Sequence, residues 1–215
     1  MIVVLDFGSQ YTQLIARRLR ESGIYTEIVP FFESVENIQK KAPKGLILSG
    51  GPASVYAKDA YKPSEKIFDL NLPILGICYG MQYLVDFFGG VVAAANEQEF
   101  GKATLEIIED SVIFKGVKAK SLVWMSHMDK VITLPKGFTT IAKSSNSPHC
   151  AIESNKVFGL QFHPEVIQSE EGGKILENFA LLVCGCEKTW GMQHFAQREI
   201  ARLKEKLLTL RFCAR

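Results

Sequence analysis

Long apolar runs are missing from this chain: nowhere do about 18 apolar residues stand together, which excludes a helix that crosses a bilayer. The start, Met1-Ile-Val-Val-Leu5-Asp6, has neither the basic residues nor the cleavage site of a secretory leader, and cytoplasmic residence is the expectation. Cysteine is sparse and irregular; five thiols without regular spacing do not make a disulfide framework. Neither sign of charge dominates, since the formal net charge is +2, so neither nucleic acid nor a membrane surface is an expected partner. Histidine is scarce, four in 215 residues, which narrows the search for a base or a metal set. Internal repeats and low-complexity segments are absent as well. What is present, 47% hydrophobic and 22% charged residues, is ordinary for a chain that buries its own core.

The pattern alternates between short β-rich runs and helical periodicity. Ile2 to Leu5 reads as a strand, and Leu14, Ile15 and Leu19 mark an amphipathic helix closed by Gly23. Ile24 to Val29 is a second strand, Ser34 caps a short helix through Lys40, and Leu46 to Leu48 is a third strand. Pro63 to Leu70 reads as helical. Such alternation implies right-handed βαβ crossovers and a mainly parallel open sheet with helices on both faces, its strand-end loops gathered on one edge. From Val91 onward the reading changes to short strands, 104–108, 121–125, 130–134, 139–142 and 150–152, expected as antiparallel additions at the sheet edge. Lys156 to Phe162 is a further strand, Glu170 to Val183 a helix, and Thr189 to Leu210 a last helix with one apolar and one basic face. The expected division is therefore a domain over 1–188 and a linker or docking helix over 189–215.

Within this frame the stretch Pro73-Ile-Leu-Gly76-Ile-Cys78-Tyr-Gly80-Met-Gln82 reads as a buried strand, a sharp turn and a helix. Gly76 and Gly80 bracket Cys78, the thiol version of a nucleophile elbow, in which small neighbours let a strained turn lift the reactive atom clear of the sheet. A thiol nucleophile needs a base, and the base needs an orienting group. His163 at a strand end, with Glu165 two residues on and projecting from the same side, supplies that pair. Ser49-Gly-Gly51-Pro52 can present a backbone N–H to a developing oxyanion, with Gly51 and the Tyr79 amide as the two donors; a plain turn remains the alternative, and a P-loop lacks its Gly-Lys-Ser/Thr. His127 falls in the edge-strand region away from the elbow and is read as a site-wall or structural residue. His149 and His194 have no evident partner, and Cys184-Gly-Cys186 is incomplete as a metal set, so no metal is expected.

The elbow with a late His-x-Glu resembles the class I (triad) glutamine amidotransferases. Leu5-Asp-Phe-Gly-Ser-Gln10, Leu48-Ser-Gly-Gly-Pro52, Gly76 to Gln82, Glu99-Phe-Gly101, Val123-Trp-Met-Ser-His127 with Asp129-Lys130, and Gln161-Phe-His-Pro-Glu165 narrow it to the amidotransferase domain of the GMP synthases. The resemblance implies that Cys78 attacks the side-chain amide of L-glutamine while His163 relays protons and Glu165 orients it. It also implies that Gln82 and the Ser126 to Asp129 segment, His127 included, hold the amino and carboxylate groups of the substrate. No cofactor is implied for that step. ATP and magnesium belong to the family's ATP-pyrophosphatase (synthetase) domain or subunit, the expected partner, which is also the implied route to any homo-oligomer. The Ser-Gly-Gly-x-Asp-Ser loop of that domain does not appear after Lys206, and amination of XMP is expected to lie outside this chain. The residues leave open an inactive or regulatory module, the glutaminase of another biosynthetic synthetase, and a cysteine peptidase or esterase.

Overall fold

The computed structural model describes residues 1–191 and residue 200. Its elements run β1 (Ile2–Asp6), α1 (Thr12–Glu21), β2 (Thr26–Pro30), α2 (Val35–Lys40), β3 (Gly45–Leu48), β4 (Ile74–Ile77), α3 (Tyr79–Phe87), β5 (Val91–Ile107), β6 (Lys120–Thr133), β7 (Thr139–Lys143), β8 (Ala151–Ser154), β9 (Val157–Leu160) and α4 (Gly172–Asn178). One nine-stranded sheet has the order β2-β1-β3-β4-β9-β8-β7-β5-β6. The first five strands in that order pair in parallel and the last five antiparallel, β9 belonging to both sets, as the change of pattern after Val91 predicts.

Alternation along β1 divides the core between the two faces of the sheet. Ile2 and Val4 join Ile15 and Leu19 of α1 and Ile175 and Leu176 of α4 on one side. Val3 and Leu5 join Ile38 of α2 and Tyr83 and Leu84 of α3 on the other. Both faces are thus covered, and the central strands β3 and β4 are apolar and buried at every position. Ser34 caps α2 as expected, its hydroxyl accepting the Asn37 N–H at 3.2 Å.

One reading needs correction. The expected short strands 104–108, 121–125 and 130–134 are parts of two long strands, β5 and β6, which pair along most of their length. Serine and aspartate between the apolar runs had read as turns, but Ser126 and Asp129 sit in the ladder, paired with Phe100 and Ala94. The helical reading of 63–70 holds, as a 3-10 helix over Glu65–Leu70. The helix expected over 170–183 is also present, as α4 continued by a π-helix at Phe179–Val183. His127 stands on β6, the edge strand, beside Ser126, whose carbonyl accepts from the Cys78 thiol. The reading of a last helix over 189–210, and His194 with it, falls outside the described residues.

Candidate active site

Cys78 stands between β4 and α3 with φ 50° and ψ −106°, a conformation that costs a non-glycine residue about 1–3 kcal/mol. Neighbouring packing enforces it. A Cβ on Gly80 would lie 2.3 Å from the Leu48 carbonyl oxygen, and one on Gly76 would lie 2.5 Å from the Gly80 carbonyl carbon, so strand and helix approach as only glycine permits. The Cys78 N–H donates to Leu160 O at 2.7 Å and the Gly80 N–H to Ser49 O at 3.1 Å, tying the turn to β9 and to the loop after β3.

The chain after β9 brings His163 to this turn. Its Nδ1 lies 2.8 Å from Glu165 Oε1, and because a carboxylate only accepts, Nδ1 carries the proton and Nε2 is left for the thiol. Both residues are buried. Burial alone would push the imidazole down, but hydrogen bonds with Cys78 and Glu165 and the Glu165 charge outweigh it and hold the ring well above its ordinary pKa. Glu165 Oε2 has no partner among the described residues, so the carboxylate directs its one hydrogen bond at the ring. His163 is braced further by its N–H to Trp124 O at 2.9 Å, by Ser169 Oγ donating to its carbonyl at 2.5 Å, and by the Tyr11 ring edge-on at 5.0 Å.

Three loops at the carboxyl ends of β1, β3 and β4 meet here, as parallel topology requires. They close a cavity of about 230 Å³ lined by Ser9 and Tyr11, by Gly51 and Pro52, and by Cys78, with Ser126 and His163 completing it. That volume is below the ~300–1,000 Å³ of pockets for drug-sized ligands and suits a small molecule. Tyr79 opens α3, so its N–H is one of the first-turn amides that a helix cannot pair internally. A larger cavity of about 430 Å³, between α1 and residues 165–168, shares Tyr11 but contains no thiol.

Gln82 and His127 are both buried and do not line the thiol cavity. Gln82 Nε2 donates to Asp129 O at 2.9 Å, and His127 Nδ1 lies 3.0 Å from the same oxygen. The Ser126 to Asp129 segment is part of β6 rather than a loop, and the Cys78 thiol donates to Ser126 O at 3.6 Å. The Asp129 carboxylate accepts from Ser54 Oγ at 2.5 Å and Tyr56 OH at 2.8 Å. Residues the sequence reading passed over also gather here. Gln161 Nε2 is 3.9 Å from the Cys78 sulfur, and extended-chain alternation from His163 was the signal for it. Arg18 Nε donates to Glu165 O at 3.1 Å across 147 residues, and nothing in the local sequence announces that contact. No group of three or more His, Cys, Asp or Glu positioned for a metal occurs among the described residues. Cys184 instead packs where a Cβ on Gly45 would stand, and His149 bonds with Thr140.

A sequence profile described as glutamine amidotransferase class-I matches residues 3–183. The chain belongs to that family. The glutamine-hydrolysing GMP synthase of Helicobacter pylori strain J99 is 92% identical over 207 residues, 96% of this chain and 41% of that protein. A second GMP synthase, from Campylobacter hominis, is 58% identical over 208 residues and is covered to the same 41%. The chain therefore spans about two fifths of the length of the curated relatives it matches. Among solved structures, a putative GMP synthase subunit from Thermoplasma acidophilum superposes with a TM-score of 0.74 at 32% identity, covering 94% of this chain and 96% of that one. A glutamine amidotransferase of Thermotoga maritima, at 21% identity and TM-score 0.60 over 77% of this chain and 76% of that one, shares the fold. The α/β fold read from the sequence is that of these amidotransferases.

Proposed function

We propose that this chain is the glutaminase part of a GMP synthase, hydrolysing L-glutamine to glutamate and ammonia through a thioester on Cys78. The observation that carries the reading is the meeting, at one small cavity, of a strained cysteine elbow with a buried histidine already bonded to a buried glutamate. The thiolate attacks the side-chain amide carbon, and the oxyanion that forms is received by the N–H groups of Gly51 and Tyr79. The His163 imidazolium gives its proton to the departing nitrogen, and ammonia leaves. His163 then takes a proton from water, the hydroxide attacks the thioester, and glutamate departs with the thiol restored. Glu165 keeps the ring in the tautomer that faces sulfur. Ser126 forms the wall that orients the amino-acid end of the substrate, and the Gln82–Asp129–His127 cluster behind it holds that wall in place.

The ammonia is destined for a synthetase domain or subunit that aminates XMP with ATP and magnesium, in the cytoplasm. Among the described residues no group of three or more His, Cys, Asp or Glu is placed to hold the metal of a nucleotide. Gly50 of the Ser49-Gly-Gly51 loop packs with its would-be Cβ 3.2 Å from His163 Cε1, so that loop builds the thiol site and no phosphate cradle. The division of the chain into a glutaminase unit over 1–188 and a linking segment after it belongs to the same proposal. Glutamate release from glutamine by the purified chain, alone and with a synthetase partner, tests the reading. Turnover that is lost in Cys78→Ala supports it, and Cys78-dependent release in neither setting refutes it.

A further inference from the structure

Glu99 opens the stretch of β5 that resumes pairing with β6 after a break. Ala94 pairs with Asp129 and Glu99 with His127, so five residues of advance on one strand meet two on the other. Over that interval the backbone ladder cannot fix β6, and a side-chain network takes its place. The Glu99 carboxylate is buried. Its Oε2 accepts from Ser147 Oγ at 2.9 Å and faces His127 Nε2 at 3.1 Å, and its Oε1 accepts from Ser144 Oγ at 3.4 Å. The two serines belong to one loop, closed by Ser144 N–H to Ser147 O at 2.9 Å and by Ser147 N–H to Ser144 Oγ at 3.1 Å.

His127 faces acceptors on both sides, a carboxylate at Nε2 and the Asp129 carbonyl at Nδ1, two contacts that are both hydrogen bonds only when both ring nitrogens donate. Burial works against the Glu99 charge, yet the His127 and Ser147 hydrogen bonds prevail and hold the carboxyl below its ordinary pKa. The Asp129 carbonyl takes the His127 proton at 3.0 Å and the Gln82 amide at 2.9 Å, and Gln82 stands on the helix that the elbow opens. Ser126, three residues back on β6, takes the Cys78 thiol on its carbonyl and lines the cavity. A buried ion pair is a weak source of stability, since an apolar pair of like volume does as well. What it provides here is a fixed place for the strand.

We propose that Glu99 is a positioning residue: through His127 and the Asp129 carbonyl it holds the Ser126 to Asp129 wall over Cys78 and so sets the affinity of the site for glutamine. This rests on the reading of the cavity as a glutamine site.

The test uses Glu99→Ala, Glu99→Gln and Ser147→Ala in the full chain with its synthetase partner. Three things are measured: KM and kcat for glutamine, the saturable inactivation of Cys78 by the chloroketone analogue of glutamine, and the ¹⁵N signature of the His127 ring. Loss of one hydrogen bond to a charged group predicts a rise of about tenfold in KM and in the inactivation half-saturation for Glu99→Ala, with the limiting inactivation rate changed by less than about threefold. Glu99→Gln restores most of the affinity, because its amide donates to a now neutral Nε2 while its carbonyl, in the place of Oε1, still accepts from Ser144. The His127 ring shows two protonated nitrogens in the parent and one in Glu99→Gln. A folded Glu99→Ala chain with unchanged KM and half-saturation overturns the proposal; if that variant does not fold, unchanged values in Ser147→Ala overturn it. A parent chain that neither hydrolyses glutamine nor is saturably labelled refutes the glutamine reading instead. In that event the ring signature alone decides the Glu99–His127 pair, and a singly protonated His127 in the parent sinks it.

Discussion

Replacing Glu165 by glutamine removes a charge while keeping an acceptor for the His163 Nδ1 proton, which isolates the electrostatic part of the pair. In the structure the two groups touch at 2.8 Å, both are almost fully buried, and the second carboxylate oxygen has no partner among the described residues. Opposite charges whose centres are about 4 Å apart attract by about 4 kcal/mol at an effective dielectric constant near 20. The glutamine dipole retains part of this, so the reactive thiolate–imidazolium pair is expected to fall by about 100- to 1,000-fold in population. The assay is the rate of Cys78 alkylation by iodoacetamide as a function of pH, followed by mass spectrometry. Glu165→Gln should react more slowly near neutrality and reach its plateau only at higher pH. Stability carries the same sign. An imidazole raised on folding adds stability that is complete below its unfolded pKa of about 6.5 and is lost as pH climbs through the raised value. The melting-temperature gap between parent and Glu165→Gln should therefore be widest in mildly acidic solution and narrow toward alkaline pH. An alkylation profile superposable on the parent's, or a gap that widens with pH, refutes the reasoning.

Two further outcomes follow from packing and burial. Gly80→Ala drives a Cβ to within 2.3 Å of the Leu48 carbonyl oxygen, and since the obstacle is backbone the elbow itself must move. A loss of about 1–3 kcal/mol is expected in urea unfolding, together with loss of Cys78 reactivity, and a variant that matches the parent in both contradicts the elbow geometry. Thiol mapping should label Cys78 well before Cys150 and Cys184, because burial pushes those two thiols up and out of the reactive range. Equal labelling of Cys150 in the native chain would show that the environment of the elbow confers no reactivity.

The parallel half of the fold was legible because its signals are local: four-residue apolar strands, a Ser34 cap, and glycines bracketing Cys78. The triad-like set was legible for the same reason, each member lying at the end of a strand whose period could be read. The β5–β6 ribbon was harder. A strand such as β6 reads Ser-Leu-Val-Trp-Met-Ser-His-Met-Asp, and its polar residues resemble turn punctuation until Glu99 of the partner strand meets His127 and the distant Ser54 and Tyr56 meet Asp129. Contacts such as Arg18 with the Glu165 carbonyl join segments 147 residues apart, and no window on the sequence holds both ends.

The position of the site follows from the topology. Leaving β1 the chain steps to β2 on one side, and the next strand, β3, returns to the other side, so the loops after β1 and β3 diverge and leave a crevice at the carboxyl edge. Those loops supply Ser9, Tyr11 and Gly51. The next two strands across, β4 and β9, are parallel neighbours that pair Ile77 with Leu160, so the residues just past their ends, Cys78 and His163, emerge side by side although 85 positions apart in the chain (163 minus 78). Parallel order alone therefore brings nucleophile and base together, and the backbone strain at Cys78 then turns the sulfur toward the crevice. The antiparallel extension adds what the parallel half cannot. Because β6 is long, it passes from the far edge of the sheet back over the elbow and closes the cavity with Ser126. A shorter β6, such as the two separate strands the sequence suggested, would leave the thiol with a base but without the wall that presents a substrate to it.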